Sequence, residues 1–317
     1  MEEIKEMLSL NEGFERLVEK ANKIQSLCSD RLVNANEIRM DNELRLAGSP
    51  MSSLAQGHLC GKLQVPSRYF TRLVESGNKE LAAENINTWL AGDTRKLLLR
   101  EYDGRIRGVL SGSYSVYDAP EILKTVATVF EPSKFKLKGS FINEERLHLR
   151  LCQTEMLPIN GEDLFAGISL DSSDVGRAGL TVRFFIYKQV CTNGLVIAKS
   201  SARLFRQKHI GINQEDFAEG LTEGLNSFYE LKDSITASIK ATKEIPLEED
   251  IEKLIEDLRE KTNLSEESAY EVLNLVDKNY DRNRWGLING ITEVAQQFTL
   301  ERRIELETIA GNMLKAG

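Results

Sequence analysis

Lys134-Phe135-Lys136-Leu137-Lys138 and Arg146-Leu147-His148-Leu149-Arg150-Leu151 alternate strictly between apolar and basic side chains. A period of two marks strands with one face buried and the other wet, because successive side chains leave a strand on opposite sides. Phe135 and Leu137, with Leu147, Leu149 and Leu151, belong to the buried face. Lys134, Lys136 and Lys138, with Arg146, His148 and Arg150, belong to the other. Upstream, Leu97 to Tyr102 meets Asp103-Gly104 and continues as Arg105 to Leu110. Asp-Gly between two such runs predicts a hairpin, since both central residues of the favoured turn need positive φ. Downstream, Leu180 to Lys188 is β-rich, and Asn193-Gly194 predicts another tight turn into Leu195-Val196-Ile197-Ala198.

Helical spacing flanks these strands. Residues 3–28 carry apolar side chains every three to four positions and predict an amphipathic helix broken at Gly13. Pro66 opens a second helix through Val74 that Gly77 closes, and a third runs from Lys79 to Leu90. Glu121 to Phe130 reads as a short helix capped by Asp118. From Gln214 the chain is helical to its end, with an acidic helix from Leu247 to Lys261 after Pro246 and another started by Ser265. Strands collected in the middle with helices before and after define an α+β fold. The expected architecture is a central, mostly antiparallel sheet with helices packed on one face, a wet basic opposite face, and a helical C-terminal region.

Charge divides the chain in the same places. Residues 1–94 hold 11 basic and 14 acidic side chains, residues 95–210 hold 18 and 12, and residues 211–317 hold 12 and 23. Three regions are expected accordingly: helical 1–94, a basic β-rich core at 95–210, and an acidic helical 211–317. Between Asp174 and Glu215 stand Arg177, Arg183, Lys188, Lys199, Arg203, Arg206 and Lys208 without one acid, although the whole protein has net charge −8. A one-signed field on an acidic protein must be carried by a local surface, and phosphate is the usual partner of such a surface.

The sequence lacks an apolar run of the roughly 18–20 residues a membrane span needs, and its acidic start is unlike a signal peptide, so a cytoplasmic protein is expected. Cys28, Cys60, Cys152 and Cys191 are scattered and read as buried, reduced thiols. His58 with Cys60, and His148 with Cys152, offer ligand pairs that nothing completes to a zinc tetrad, so no metal or cofactor is predicted. Neither a Gly-x-x-x-x-Gly-Lys loop nor a Gly-x-Gly-x-x-Gly turn is present, so the chain reads as a binding protein more than an enzyme. Glu162, Asp163, Asp171 and Asp174 could hold a hard cation for a metal-dependent nuclease, although solvated turn residues explain them better.

The candidate nucleic-acid surface comprises Arg100, Arg105, Arg107, Lys134, Lys136, Lys138, His148, Arg150, Arg183, Tyr187, Lys188, Arg203, Arg206 and Lys208. Cations along a backbone combined with aromatic platforms suit single-stranded DNA or RNA, with Tyr102, Tyr187 and Phe205 as stackers. The competing explanations are lysines that guard a sheet edge and aromatics that pack inward. For the acidic helix 247–261 the alternatives are a plain solvated face and a contact surface for a partner protein.

Several stretches resemble a phage/plasmid-like protein family of unknown function found on prophages, plasmids and integrative elements. They are Leu110 to Tyr117, Phe184 to Val190, Val190-Cys191-Thr192-Asn193-Gly194-Leu195, and Arg284-Trp285-Gly286-Leu287-Ile288-Asn289-Gly290-Ile291-Thr292-Glu293, so that the likeness spans about residues 66–300. An amino-terminal tryptophan-histidine-glycine element common in that family is missing. The resemblance implies a mobile-element context close to recombination and replication functions, and carries no catalytic residues. Together these readings predict a non-catalytic, homo-oligomeric protein that binds single strands through a basic sheet, in recombination or annealing. The alternatives are an interaction factor that engages a host protein through its acidic helices, and a metal-dependent nuclease.

Overall fold

The computed structural model describes residues 8–131, 133–159, 163–177, 179–188, 193–196, 203–207, 214–247 and 250–314. It is α+β, with antiparallel strands in two sheets and a helical C-terminal region. Strands β2 (Cys28–Asn34), β3 (Lys96–Tyr102) and β4 (Arg105–Ser111) form a three-stranded sheet in that order. Asp103 and Gly104, at φ 48° and 73°, make the β3–β4 turn that Asp-Gly predicts. Helices α2 (Ser53–Lys62), α3 (Ser67–Glu75) and α4 (Lys79–Ala91) enclose a core with this sheet that includes Leu59, Phe70, Ile86, Leu97, Leu99 and Val109.

The larger sheet, seven strands among the described residues, runs β1 (Leu8–Ser9), β5 (Phe135–Ile142), β6 (Leu147–Met156), β7 (Leu164–Ser172), β8 (Leu180–Lys188) and β10 (Arg203–Gln207), with β9 (Asn193–Val196) also on β8. Its apolar face carries Phe135, Leu137, Leu147, Leu149, Leu151, Ile168, Leu170, Val182 and Phe184. Helices α1 (Leu10–Gln25), α5 (Ala119–Val129) and α6 (Gln214–Lys243) cover that face through residues such as Leu17, Val126, Phe217 and Phe228. Helices α7 (Ile251–Thr262), α8 (Glu266–Asn279), α9 (Arg284–Val294) and α10 (Leu300–Asn312) complete the C-terminal part.

Several expectations are corrected. The hydrophobic cores do not divide where the charge does: β3 and β4 pack with residues 35–90, whereas β5 to β8 pack with α1 and the C-terminal helices. Asn193 and Gly194 begin β9 opposite Lys188 and Tyr187 instead of forming a turn, and the Val190-Cys191-Thr192 part of that motif and Ile197-Ala198 lie outside the described residues. Helix α1 runs through Gly13, and α7 starts at the Asp250 cap, after the predicted Leu247. Strand β7 takes in Asp171, which reads as a solvated turn residue. There Gly167 is required by packing, because a Cβ would stand 2.4 Å from Leu151 O and 2.8 Å from Phe185 Cδ1.

Candidate functional site

Alternation does put Lys136, Lys138, His148, Arg150, Arg183 and Tyr187 on one face of the larger sheet, opposite the apolar one, as register pairs such as Arg150↔Ser169 and Ser169↔Arg183 require. That face is not wet. Helix α10 lies against it, and Glu307, fully buried, accepts from Arg150 Nη1 at 3.2 Å and from Arg303 Nε at 3.0 Å. His148 is 4% exposed, with Nδ1 3.1 Å from Asp171 Oδ1. Asp171 also accepts from Arg146 Nη2 at 2.7 Å and Arg183 Nη1 at 3.3 Å. Burial works to raise the Asp171 pKa, but His148 and Arg146 outweigh it and hold the carboxyl well below the usual range. Tyr187 is buried, with Lys138 Nζ 3.9 Å above its ring centroid, so it offers no stacking platform. Burial lowers the Lys138 pKa.

The small sheet internalises its arginines too. Arg100 is 0% exposed and donates to Asp30 (2.9 Å), to both Asp118 oxygens (2.7 and 2.6 Å) and to Asp174 O (2.7 Å). Asp118 flanks α5 as expected, but its carboxylate serves Arg100 and makes no cap bond. Arg107 is 2% exposed, donates to Glu144 O, and approaches Asp174 Oδ2 at 3.8 Å. Arg105 is exposed and donates to Met51 O at 3.1 Å. Lys134 is exposed and paired with Glu131 at 2.8 Å, Lys136 is half-buried, and Arg206 is exposed. Lys188 and Arg203 are placed by backbone only, ending β8 and opening β10, and Lys208 and Lys199 lie outside the described residues.

Arg100, Arg107 and Arg150 are therefore structural: a buried guanidinium is stabilised by carboxylates, and those carboxylates hold the three away from phosphate. Tyr187 is buried beneath Lys138. Asp171 and Asp174 are drawn into separate ion networks, Asp163 is exposed, and Glu162 lies outside the described residues. Among the described residues no group of three or more His, Cys, Asp or Glu side chains could hold a metal ion.

Asp174 has a consequence for stability. Burial, with Asp118 adding to it, pushes its pKa up to about 7 against the opposing pull of Arg107 and Arg100. Its Oδ1 has no hydrogen-bond partner among the described residues. The folded chain thus keeps a proton that the unfolded chain, with an ordinary value of 3.8, releases, and unfolding becomes easier as pH rises from about 4 to 7. Tm is expected to be roughly 5 °C higher at pH 5.5 than at pH 8, and Asp174→Asn to flatten that difference. A pH-independent difference between the two proteins would contradict the assignment.

A cleft of about 450 Å³ opens where the two sheets meet α1 and α10. That size is ordinary for a small-molecule or single-nucleotide site. Tyr102 at the end of β3, Phe141 of β5 and Phe298 before α10 supply aromatic surface. Lys20 of α1 and Arg303 of α10 supply cations, His148 and Gln296 polar groups, and Glu144 one carboxylate. Phe298 is 36% exposed and Lys20 is exposed. Tyr102 and His148 are the two lining residues that sequence reasoning reached. Phe298, Lys20 and Arg303 left no linear signal, because they come from segments near the opposite ends of the chain.

Antiparallel sheets wrapped by helices, with an aromatic and cationic cleft between them, define an α+β architecture. Residues 107–315 match the family described as Domain of unknown function (DUF932), and the chain belongs to that family. No curated protein and no solved structure matches it. No helix among the described residues is long and apolar enough to cross a membrane.

Proposed function

We propose that this protein binds single-stranded nucleic acid without cutting it, and that the contact is the cleft, not the face of the sheet. The observation that carries this reading is the joining of Tyr102, Phe141 and Phe298 to Lys20 and Arg303 around one nucleotide-sized space. Aromatic side chains stack any base, and each stacked base contributes roughly 1–3 kcal/mol. Adjacent cations pair with the backbone. The resemblance to proteins of prophages, plasmids and integrative elements supports placing this activity in cytoplasmic recombination or strand annealing, carried out by a homo-oligomer.

Fluorescence anisotropy of labelled oligonucleotides tests the reading. Phe298→Ala is expected to weaken single-strand binding roughly 10-fold without changing the fold, because the ring is partly exposed. Unchanged affinity in that variant would remove the cleft from the account. A second reading rests on α7 and α8, whose outer surface combines Glu252, Glu256 and Glu267 with exposed Ile251 and Tyr270. Such a surface suits a basic partner protein, and retention of a host protein that depends on Tyr270 would favour it.

A further inference from the structure

Among the described residues strand β2 is an open edge: in the unbroken ladder from Cys28↔Tyr102 to Asn34↔Lys96 it pairs with β3 on one side only. Ala35 N–H donates to Arg95 O at 3.0 Å and Asp103 N–H donates to Leu27 O at 2.9 Å. In an antiparallel ladder hydrogen-bonded pairs alternate, so the odd-numbered residues of β2 face β3 and Cys28, Asp30, Leu32 and Asn34 turn their backbone groups outward.

Solitary edges are normally blunted by lysine, proline, a bulge or brevity. β2 has none of these: it is seven residues long, reads Cys-Ser-Asp-Arg-Leu-Val-Asn, and its register is regular. Its two charges are committed within the sheet, Asp30 to Arg100 and Arg31 to Glu101. At its centre Leu32 is 56% exposed.

We propose that β2 pairs with β2 of a second copy of this chain, making one continuous six-stranded antiparallel sheet across a two-fold axis. Symmetry and the outward parity leave three central registers. Asp30 opposite Asp30 sets like charges together, and Asp30 opposite Leu32 forces Arg31 opposite Arg31. The third places Leu32 opposite Leu32 on the axis, Asp30 opposite Asn34 and Arg31 opposite Val33. Only this register buries the exposed leucine and opposes no like charges.

Light scattering on the full chain is the test, with a mass of twice 35.8 kDa expected for the wild type. Leu32→Glu puts two carboxylates on the axis and is expected to yield monomer with unchanged circular dichroism. Leu32→Cys is expected to cross-link to its mate under mild oxidation, whereas Asn34→Cys, which faces Asp30 of the other copy, is not. A wild type that stays monomeric at high concentration, a Leu32→Glu protein that keeps the doubled mass, or cross-linking at Asn34→Cys without cross-linking at Leu32→Cys would each overturn the proposal.

Discussion

Replacing Arg100 with methionine is expected to destabilise the protein by roughly 3–5 kcal/mol, the usual effect of stripping one partner from a buried ion network. Among the described residues only Arg100 donates to the Asp118 carboxylate, which is itself 1% exposed, and it also binds Asp30 and the Asp174 carbonyl. The substitution fills the volume but leaves the Asp118 carboxylate without its guanidinium partner in a dry site, where an uncompensated group is costly. The damage reaches both halves of the molecule, since Arg100 lies on β3 and Asp118 opens α5. Denaturant unfolding checks this, and Asp118→Asn provides a second arm. Because Asp118 makes no cap bond, removing its charge in the Arg100→Met background is expected to restore more than half of the loss. No recovery in the double variant would contradict the charge argument.

Arg150→Glu is expected to abolish the native fold at 25 °C. It sets a new carboxylate against Glu307, which is 0% exposed, and removes one of the two arginines that pair with Glu307 among the described residues. Near-UV circular dichroism is expected to collapse for the single variant and to return when Glu307→Arg is added. Lys136→Glu, at a half-buried position, is expected to shift stability by no more than about 0.5 kcal/mol. The contrast bears on function. A loss of nucleic-acid binding in an Arg150 variant would report unfolding, whereas a loss in a Phe298 variant would report a missing contact.

What the linear sequence reveals follows from the range of the physics. The hairpin at Asp103-Gly104 and the alternation in β5 and β6 are local, and both are realised in the fold. The correct face for His148 and Arg150 follows from the same alternation. Their burial does not, because the counterion of Arg150 stands 157 residues away on α10. Arg100 is similar: Asp30 is 70 residues upstream and the Asp174 carbonyl 74 downstream. A basic run therefore predicts a basic face but not whether acids from distant helices will close over it. Strand β7 shows a missed local signal. Leu164, Ala166, Ile168 and Leu170 alternate, but Gly167, Ser169 and the flanking acids make the segment look like a loop. The cleft was least legible, since Lys20, Tyr102, Phe141 and Phe298 meet only when both sheets and the last helix are in place.

The salt dependence of single-strand affinity tests the central claim most directly. Each phosphate neutralised on a single strand contributes a slope of roughly −0.7 in log affinity against log salt. A cleft whose cations are the exposed Lys20 and an Arg303 already paired with Glu307 predicts a shallow slope, no steeper than about −1.5, with single strands preferred over duplex. A slope of about −4 or steeper would mean that six or more phosphates are held, more than the cations of the cleft can neutralise, and absence of binding at low salt would contradict the nucleic-acid reading itself.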